Sequence, residues 1–413
     1  MRDVIVFILA GGKGERLYPL TRDRAKPAVP FGGVYRVIDF TLSNCINSGM
    51  RKIHVLTQYK SISLHRHLRM GWSIFDSEIG EYIDVIPAQQ RVGSDWYKGT
   101  ADAIYQNIYS IEQENPDEVL ILAGDHIYKM NYCKMIDFHR EHNADLTVGV
   151  VEIDRNAAVQ FGVVDIDKNE NIRGFKEKPA DYKNNQNKSD KVYASMGIYL
   201  FNTDVLEQEL GEDAAKDTHH DFGRNIIPQM IDKKRKICAY NLKNDVNQPQ
   251  YWRDIGSIDA YYEANMDLVQ VSPVFNLYDR SWPIRTYHEQ FPPVKTVFSG
   301  AEDASRKGEV LDSLISDGCI VSGGRVERSI LSPNVRINSF SEVYDSILME
   351  GVNVSRYAKI KRAIIDKDVN IPQGAVIGYD VEEDRKKFFV SESGIVVVAK
   401  RTKIGGEQSQ NNK

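Results

Sequence analysis

The residues best suited to handle phosphate lie near the start of the chain. The run Gly11-Gly12-Lys13-Gly14-Glu15-Arg16-Leu17 follows an apolar stretch, and Lys26-Pro27 comes soon after it, behind Pro19-Leu20-Thr21. Glycines after a strand let backbone N–H groups approach phosphate oxygens without interference from Cβ. Lys13 and Arg16 add charge, and a guanidinium can hold phosphate in a bidentate fork. Two familiar phosphate loops are excluded: no G-x-x-x-x-G-K-[ST] occurs, and G-x-G-x-x-G stops at Leu17. Asp125 follows the apolar run Val119–Ala123, which puts it at the carboxyl end of a buried strand. A carboxylate there, opposite glycine-bound phosphate, suits a hard divalent cation held through oxygen, although an isolated Asp also serves as a loop or N-cap residue. Asp254, beside Trp252 and Arg253, is a second and distant carboxylate. Lys178 lies between Glu177 and Pro179; on its own, such a pair is usually a solvated surface contact.

These residues need a scaffold, and the first half of the chain supplies a repeating one. Val4–Ala10, Lys52–Thr57, Glu118–Ala123 and Asp145–Val151 read as buried strands rich in Val, Ile and Leu. Val4–Ala10 is too short for a signal peptide, carries Asp3 before it, and suits a strand better. Helical candidates lie between the runs at Phe40–Asn47, Ala101–Glu114 and Tyr132–His142. Strand–helix alternation implies a mostly parallel sheet covered on both faces, with ligands beyond the carboxyl ends of its strands. Ala180–Lys191 is polar and reads as an exposed loop, and Val271 to Glu309, with four prolines, reads as a connector.

Past Glu309 the pattern changes. The apolar pairs Leu314-Ile315, Ile330-Leu331, Ile347-Leu348 and Ile364-Ile365 are separated by 16, 17 and 17 residues, each preceded by a small residue: Ser313, Ser329, Ser346 and Ala363. Ile320, Ile337, Val354 and Ile371 form a second ladder with a spacing of 17. A period near 18 fits one coil of three hexapeptide strands, the signature of a parallel β-helix; evenly spaced strands of a β-sandwich are the alternative.

Composition narrows the class. The chain has 413 residues, 27% charged and 42% hydrophobic, with 53 basic and 58 acidic side chains giving a net charge of −5. That balance is globular and argues against a chain-wide grip on nucleic acid or an anionic membrane. No run approaches the roughly 18 apolar residues needed to span a bilayer. Cys45, Cys133, Cys238 and Cys319 are scattered without C-x-x-C spacing, so a reducing, cytoplasmic setting is the simpler expectation.

Together the motifs resemble a known family. Leu9-Ala10-Gly11-Gly12-Lys13-Gly14-Glu15-Arg16-Leu17 through Lys26-Pro27-Ala28 is similar to the nucleotide-binding signature of sugar-phosphate nucleotidyltransferases, most narrowly the glucose-1-phosphate adenylyltransferases. Arg36–Phe40 with Leu42–Cys45, Trp96–Asp102, Ala123–Lys129, Glu177–Pro179, Ala194–Tyr199, His220–Gly223 and Tyr251–Gly256 follow in the family's order. The resemblance implies a Rossmann-like, GT-A-type α/β domain over residues 1–270, a connector over 271–308, a left-handed parallel β-helix of hexapeptide repeats over 309–405, and a polar tail over 406–413.

It also implies an activity. ATP and α-D-glucose 1-phosphate would give ADP-glucose and pyrophosphate, the former an activated glucosyl donor for glycogen (α-glucan) synthesis. Asp125, Arg16 and Lys26 would be catalytic, and Asp125 and Asp254 would hold Mg²⁺. Leu9, Ala10, Gly11, Gly12, Gly14, Arg16 and Lys26 would bind nucleotide, and Tyr97, Gly162, Glu177, Lys178 and Ser195 the sugar phosphate. Thr100 has a simpler reading, as N-cap of a helix starting at Ala101, and His126 reads as structural. A homotetramer under allosteric metabolites is implied, with Arg36 as an effector candidate; Asp23 and Pro30 stand where many members carry Lys and His. Three alternatives stay open: a non-catalytic regulatory subunit, another nucleoside triphosphate, and a bifunctional acyltransferase. The last is disfavoured because the final histidine, His288, precedes the repeat.

Overall fold

The computed structural model describes residues 4–89, 96–180, 190–243, 250–297 and 306–405. Residues 181–189 of the expected polar loop and the tail from 406 lie outside the described residues. Contacts divide the chain into two compact units. The first comprises Met1–Gly12, Phe40–Trp252 and Trp282–Ile284, and the second Lys13–Asp39, Arg253–Ser281 and Arg285–Lys413.

A nine-stranded sheet organises the first unit. Its strands in chain order are β1 (Val4–Ala10), β2 (Lys52–Thr57), β3 (Tyr82–Pro87), β4 (Glu118–Ala123), β5 (Leu146–Asp154), β6 (Gly162–Ile166), β7 (Ile172–Glu177), β8 (Lys191–Asn202) and β9 (Ile237–Asn241). The spatial order is β7-β6-β8-β4-β1-β2-β3, with β5 bonded to β8 and β9 to β5. β4, β1, β2 and β3 are mutually parallel, as strand–helix alternation requires. The expected fourth strand, β5, does not join them; it pairs antiparallel with β8, which pairs antiparallel with β4. Continuous apolar runs reveal burial on both faces but say nothing about strand direction.

Ile5, Phe7, Val119 and Ile121 on one face and Val6, Ile8, Leu120 and Leu122 on the other are all fully buried. Ile104, Ile111, Leu206 and Leu210 come from helices packed on the first face. The single helix expected over Ala101–Glu114 is two, Thr100–Tyr105 and Ile108–Glu114. The break falls at Asn107, whose side-chain amide donates to the Ala103 carbonyl at 2.8 Å and the Tyr97 hydroxyl at 2.9 Å. Asparagine competes in this way for backbone groups and interrupts helices.

The second unit contains the β-helix. Three ladders of short parallel strands run along it, with β-registers Leu314↔Ile330↔Ile347↔Ile364 and Ile315↔Leu331↔Leu348↔Ile365 in one of them. The expected apolar pairs are thus stacked rungs, and the second member of each, Ile315, Leu331, Leu348 and Ile365, packs into one shared core. In the second ladder Val321, not Ile320, pairs with Ile337 and is fully buried, because the first coil is one residue shorter. Left-handed corners recur on the same period at Gly318, Asn334, Gly351 and Asp368, and again at Arg328, Asp345 and Arg362.

The recurring serine follows one of these corners. Each hydroxyl donates to a carbonyl two residues back and accepts the N–H of the next coil: Ser329 N–H to Ser313 Oγ at 3.0 Å, Ser346 to Ser329 at 3.1 Å, Ala363 to Ser346 at 3.2 Å. Ser346 is fully buried, so Ser346→Ala strands the Ala363 N–H without its acceptor. A loss of about 1–2 kcal/mol of stability is expected. Denaturant unfolding measures it, and an unchanged midpoint would show that the hydroxyl ladder is incidental.

Candidate active site

In the first unit, the loops past the carboxyl ends of β1, β2 and β4 open on one cavity of about 480 Å³. β1 delivers Gly11 and Gly12, β2 delivers Gln58, and β4 delivers Asp125. Glu177 and Lys178 come from the end of β7, and Gly197 and Tyr199 from β8. Register in β8 shifts between Ser195 and Tyr199, and Gly197 there takes φ 65°. A bulge of this kind re-aims side chains beside a site.

Glu177 is tightly framed. Its Oε2 would lie 2.8 Å from a Cβ on Gly162 and 2.7 Å from one on Gly223, so two bare backbones clamp one oxygen. Oε1 faces the Lys178 ammonium at 3.3 Å. Lys178 sits in the left-handed region at φ 44°, and its backbone N–H donates to the Phe161 carbonyl at 3.1 Å. Its side chain is half exposed, which leaves the ammonium available to an anion.

Tyr97 lines the same cavity and accepts the Asn107 amide on its hydroxyl. Burial, outweighing that hydrogen bond, raises its phenol pKa, so it stays neutral at physiological pH. Ser195 stands behind the wall: its hydroxyl accepts the Gly197 N–H at 3.2 Å and lies 3.5 Å from the Tyr199 hydroxyl. The Asp125 side chain is 30% exposed, with His126 Nε2 3.5 Å from its Oδ1. The His126 ring meets Trp252 edge-on at 5.1 Å.

The second unit holds the remaining polar candidates. The Lys26 ammonium donates to Asp254 Oδ1 at 2.8 Å, both side chains being about nine-tenths buried. Arg16 and Asp254 both stand over Gly256. Gly14, at φ 64°, has its carbonyl bound by the Thr21 hydroxyl at 2.8 Å and packs against Lys26. Arg36 lies near Lys367, whose pKa is lowered chiefly by burial; the Glu350 carboxylate works against that shift and the Arg36 charge adds to it. Asp23 is paired with Arg22 at 3.1 Å.

Comparison with known proteins places these features in a family. The nucleotidyl transferase model matches residues 5–271, and a GlmU-like C-terminal hexapeptide model matches 292–398. A glucose-1-phosphate adenylyltransferase of Koribacter versatilis is 56% identical over 97% of this chain and 96% of its own length. The chain belongs to the glucose-1-phosphate adenylyltransferase family of nucleotidyl transferases. The adenylyltransferase of Rhodopirellula baltica is 52% identical over the whole of this chain and 93% of its own, and adenylyltransferase 2 of Vibrio cholerae 49% over 96% and 98%.

Of the residues expected from an adenylyltransferase, Leu9, Gly11, Gly12, Tyr97, Asp125, Glu177 and Lys178 line the one cavity, with Ala10 buried between. Gly162 and Ser195 support its wall from behind. Gln58, Asp221 and Gly223 also line it, and none of the three is assigned a role from sequence. Gln58 follows the apolar run of β2 much as Asp125 follows β4, and that signal was available. Asp221 and Gly223 follow no strand, so no strand-end rule finds them. Thr100 is not a cap: Gly99 holds that position, and the Thr100 hydroxyl donates to Asp221 Oδ2 at 2.9 Å. No helix among the described residues is long and apolar enough to cross a membrane.

Proposed function

We propose that the chain converts ATP and α-D-glucose 1-phosphate into ADP-glucose and pyrophosphate, supplying an activated glucosyl donor for glycogen (α-glucan) synthesis. The observation that carries this reading is a family match over nearly the whole chain, joined to a cavity where Gly11, Gly12, Asp125, Glu177 and Lys178 converge. The sugar phosphate is already anionic at neutral pH and needs no strong base. One of its oxygens bonds to the α-phosphorus of ATP as the bond from that phosphorus to the bridging oxygen breaks. Catalysis is then positioning plus charge neutralisation.

Lys178 takes the phosphate of glucose 1-phosphate, and Glu177 takes sugar hydroxyls, with Tyr97, Gly162 and Ser195 completing the subsite. The glycines after β1, with Leu9, Ala10, Arg16 and Lys26, serve the nucleotide. Asp125 offers partly exposed carboxylate oxygen at the cavity, a donor suited to Mg²⁺. Asp125 and Asp254 would hold that ion, which would supply positive charge to the phosphates. For the chain's organisation, the reading keeps a catalytic 1–270, a connector 271–308, a repeat 309–405 and a tail 406–413. It also keeps a cytoplasmic homotetramer whose effector region includes Arg36; the acidic Asp23 there disfavours an anionic effector.

The GlmU-like match suggests acetyl transfer as a second reading, but the last histidine, His288, precedes the matched residues. Purified chain given ATP, Mg²⁺ and glucose 1-phosphate should release pyrophosphate without any partner subunit. Silence in that assay would favour a regulatory role. Release of free thiol from acetyl-CoA with an amino-sugar phosphate would favour acyl transfer.

A further inference from the structure

The loop carrying Asp221 and Gly223 to the cavity is held by a buried polar pair that does not itself line the cavity. Asp213 lies in the last turn of the helix Thr203–Ala214, and its Oδ2 accepts the Nδ1–H of His220 at 2.7 Å; the two side chains are 4% and 11% exposed. Asp213 Oδ1 accepts the Thr218 hydroxyl at 2.9 Å, and Thr218 Oγ1 accepts the His220 N–H at 2.9 Å. His220 is fixed in the left-handed region at φ 49°, which a residue with Cβ adopts only when its surroundings over-determine it.

That conformation aims the carbonyl at the start of the helix Thr100–Tyr105. The His220 carbonyl accepts the N–H groups of Ala101 at 2.9 Å and Asp102 at 3.2 Å. The carbonyls of His219 and His220 would each lie 2.3 Å from a Cβ on Gly99, so only glycine fits against them. From there the Thr100 hydroxyl ties to Asp221 Oδ2 at 2.9 Å and accepts the Phe222 N–H at 3.1 Å. Asp221 Oδ1 accepts the Gly223 N–H at 3.0 Å, and Gly223 backs Glu177 so closely that a Cβ on it would lie 2.7 Å from Oε2. An unbroken path therefore runs from Asp213 to the framed carboxylate.

We propose that Asp213 and His220 are positioning residues for the sugar subsite, fixing Glu177 through Thr100, Asp221 and Gly223. The inference rests on reading Glu177 as the ligand of the sugar hydroxyls. His220→Leu removes the Nδ1–H donor while keeping bulk; His220→Asn restores an N–H at nearly the same place and tolerates positive φ. Misplacement by a fraction of an ångström is expected to raise KM for glucose 1-phosphate about tenfold in H220L, with KM for ATP unchanged. H220N should recover most of that loss. Residues acting along one path are non-additive, so H220L/E177Q should have the same KM as E177Q.

Initial-rate measurements on the four variants decide the matter. A normal KM for glucose 1-phosphate in H220L, or a lowered kcat at unchanged KM as from a smaller folded fraction, overturns the positioning role. So do effects of H220L and E177Q that simply multiply. If H220L does not fold, Thr218→Val cuts the same loop tie more gently, and a normal KM there overturns the proposal equally. If E177Q itself leaves that KM unchanged, the assignment of Glu177 falls; if E177Q raises it and H220L does not, the positioning inference alone falls.

Discussion

Asp125→Asn loses turnover by roughly a hundred- to a thousand-fold while binding glucose 1-phosphate almost normally, the loss expected when one preorganised electrostatic contact is removed from a reacting phosphate. Asn keeps the shape and one acceptor oxygen but gives up the negative charge that a hard cation needs. Asp125 stands just past β4, on a strand end different from the one that carries Glu177 and Lys178. The substitution should therefore leave the sugar side of the cavity unaltered and appear in kcat. Steady-state kinetics at saturating Mg²⁺ measures both constants. Near-normal turnover there would remove Asp125 from the mechanism.

Lys178→Ala acts on the other constant. Its ammonium is half exposed in the free protein and has Glu177 Oε1 as a neighbour at 3.3 Å. A charge-assisted hydrogen bond to the sugar phosphate contributes about 1.5–3 kcal/mol, or roughly ten- to a hundred-fold in apparent KM for glucose 1-phosphate. The backbone bond to Phe161 does not involve the side chain, so the turn should survive the change. Thermal unfolding beside the kinetics separates lost affinity from lost fold. An unchanged KM would sink the assignment of Lys178 to the phosphate.

Much of this was legible in the sequence for identifiable reasons. In a β-helix the register equals the sequence period, so Leu314, Ile330, Ile347 and Ile364 stack as their spacing says. The slip from Ile320 to Val321 arose where one coil is shorter by a residue. Gly11, Gly12 and Asp125 could be found because each follows a buried run, and in parallel strands ligands gather past that end. The antiparallel insertion of β8 was hidden, because a strand's direction leaves no mark in its composition. His220–Gly223 stood out as a motif, but the part that Asp221, Gly223 and the Asp213–His220 pair play at the cavity was hidden for a different reason. They are tied to the cavity through hydrogen bonds with Thr100, Ala101 and Asp102, more than a hundred residues earlier, and no local pattern encodes such a contact.

Which nucleotide and which sugar phosphate the protein joins is tested most directly by one assay. Initial rates of pyrophosphate release are measured with glucose 1-phosphate and each of ATP, UTP, GTP and dTTP, using the purified chain alone with Mg²⁺. ATP should give by far the highest kcat/KM, with ADP-glucose as the product. A preference for any other nucleotide, or no release with ATP, would contradict the proposed reaction.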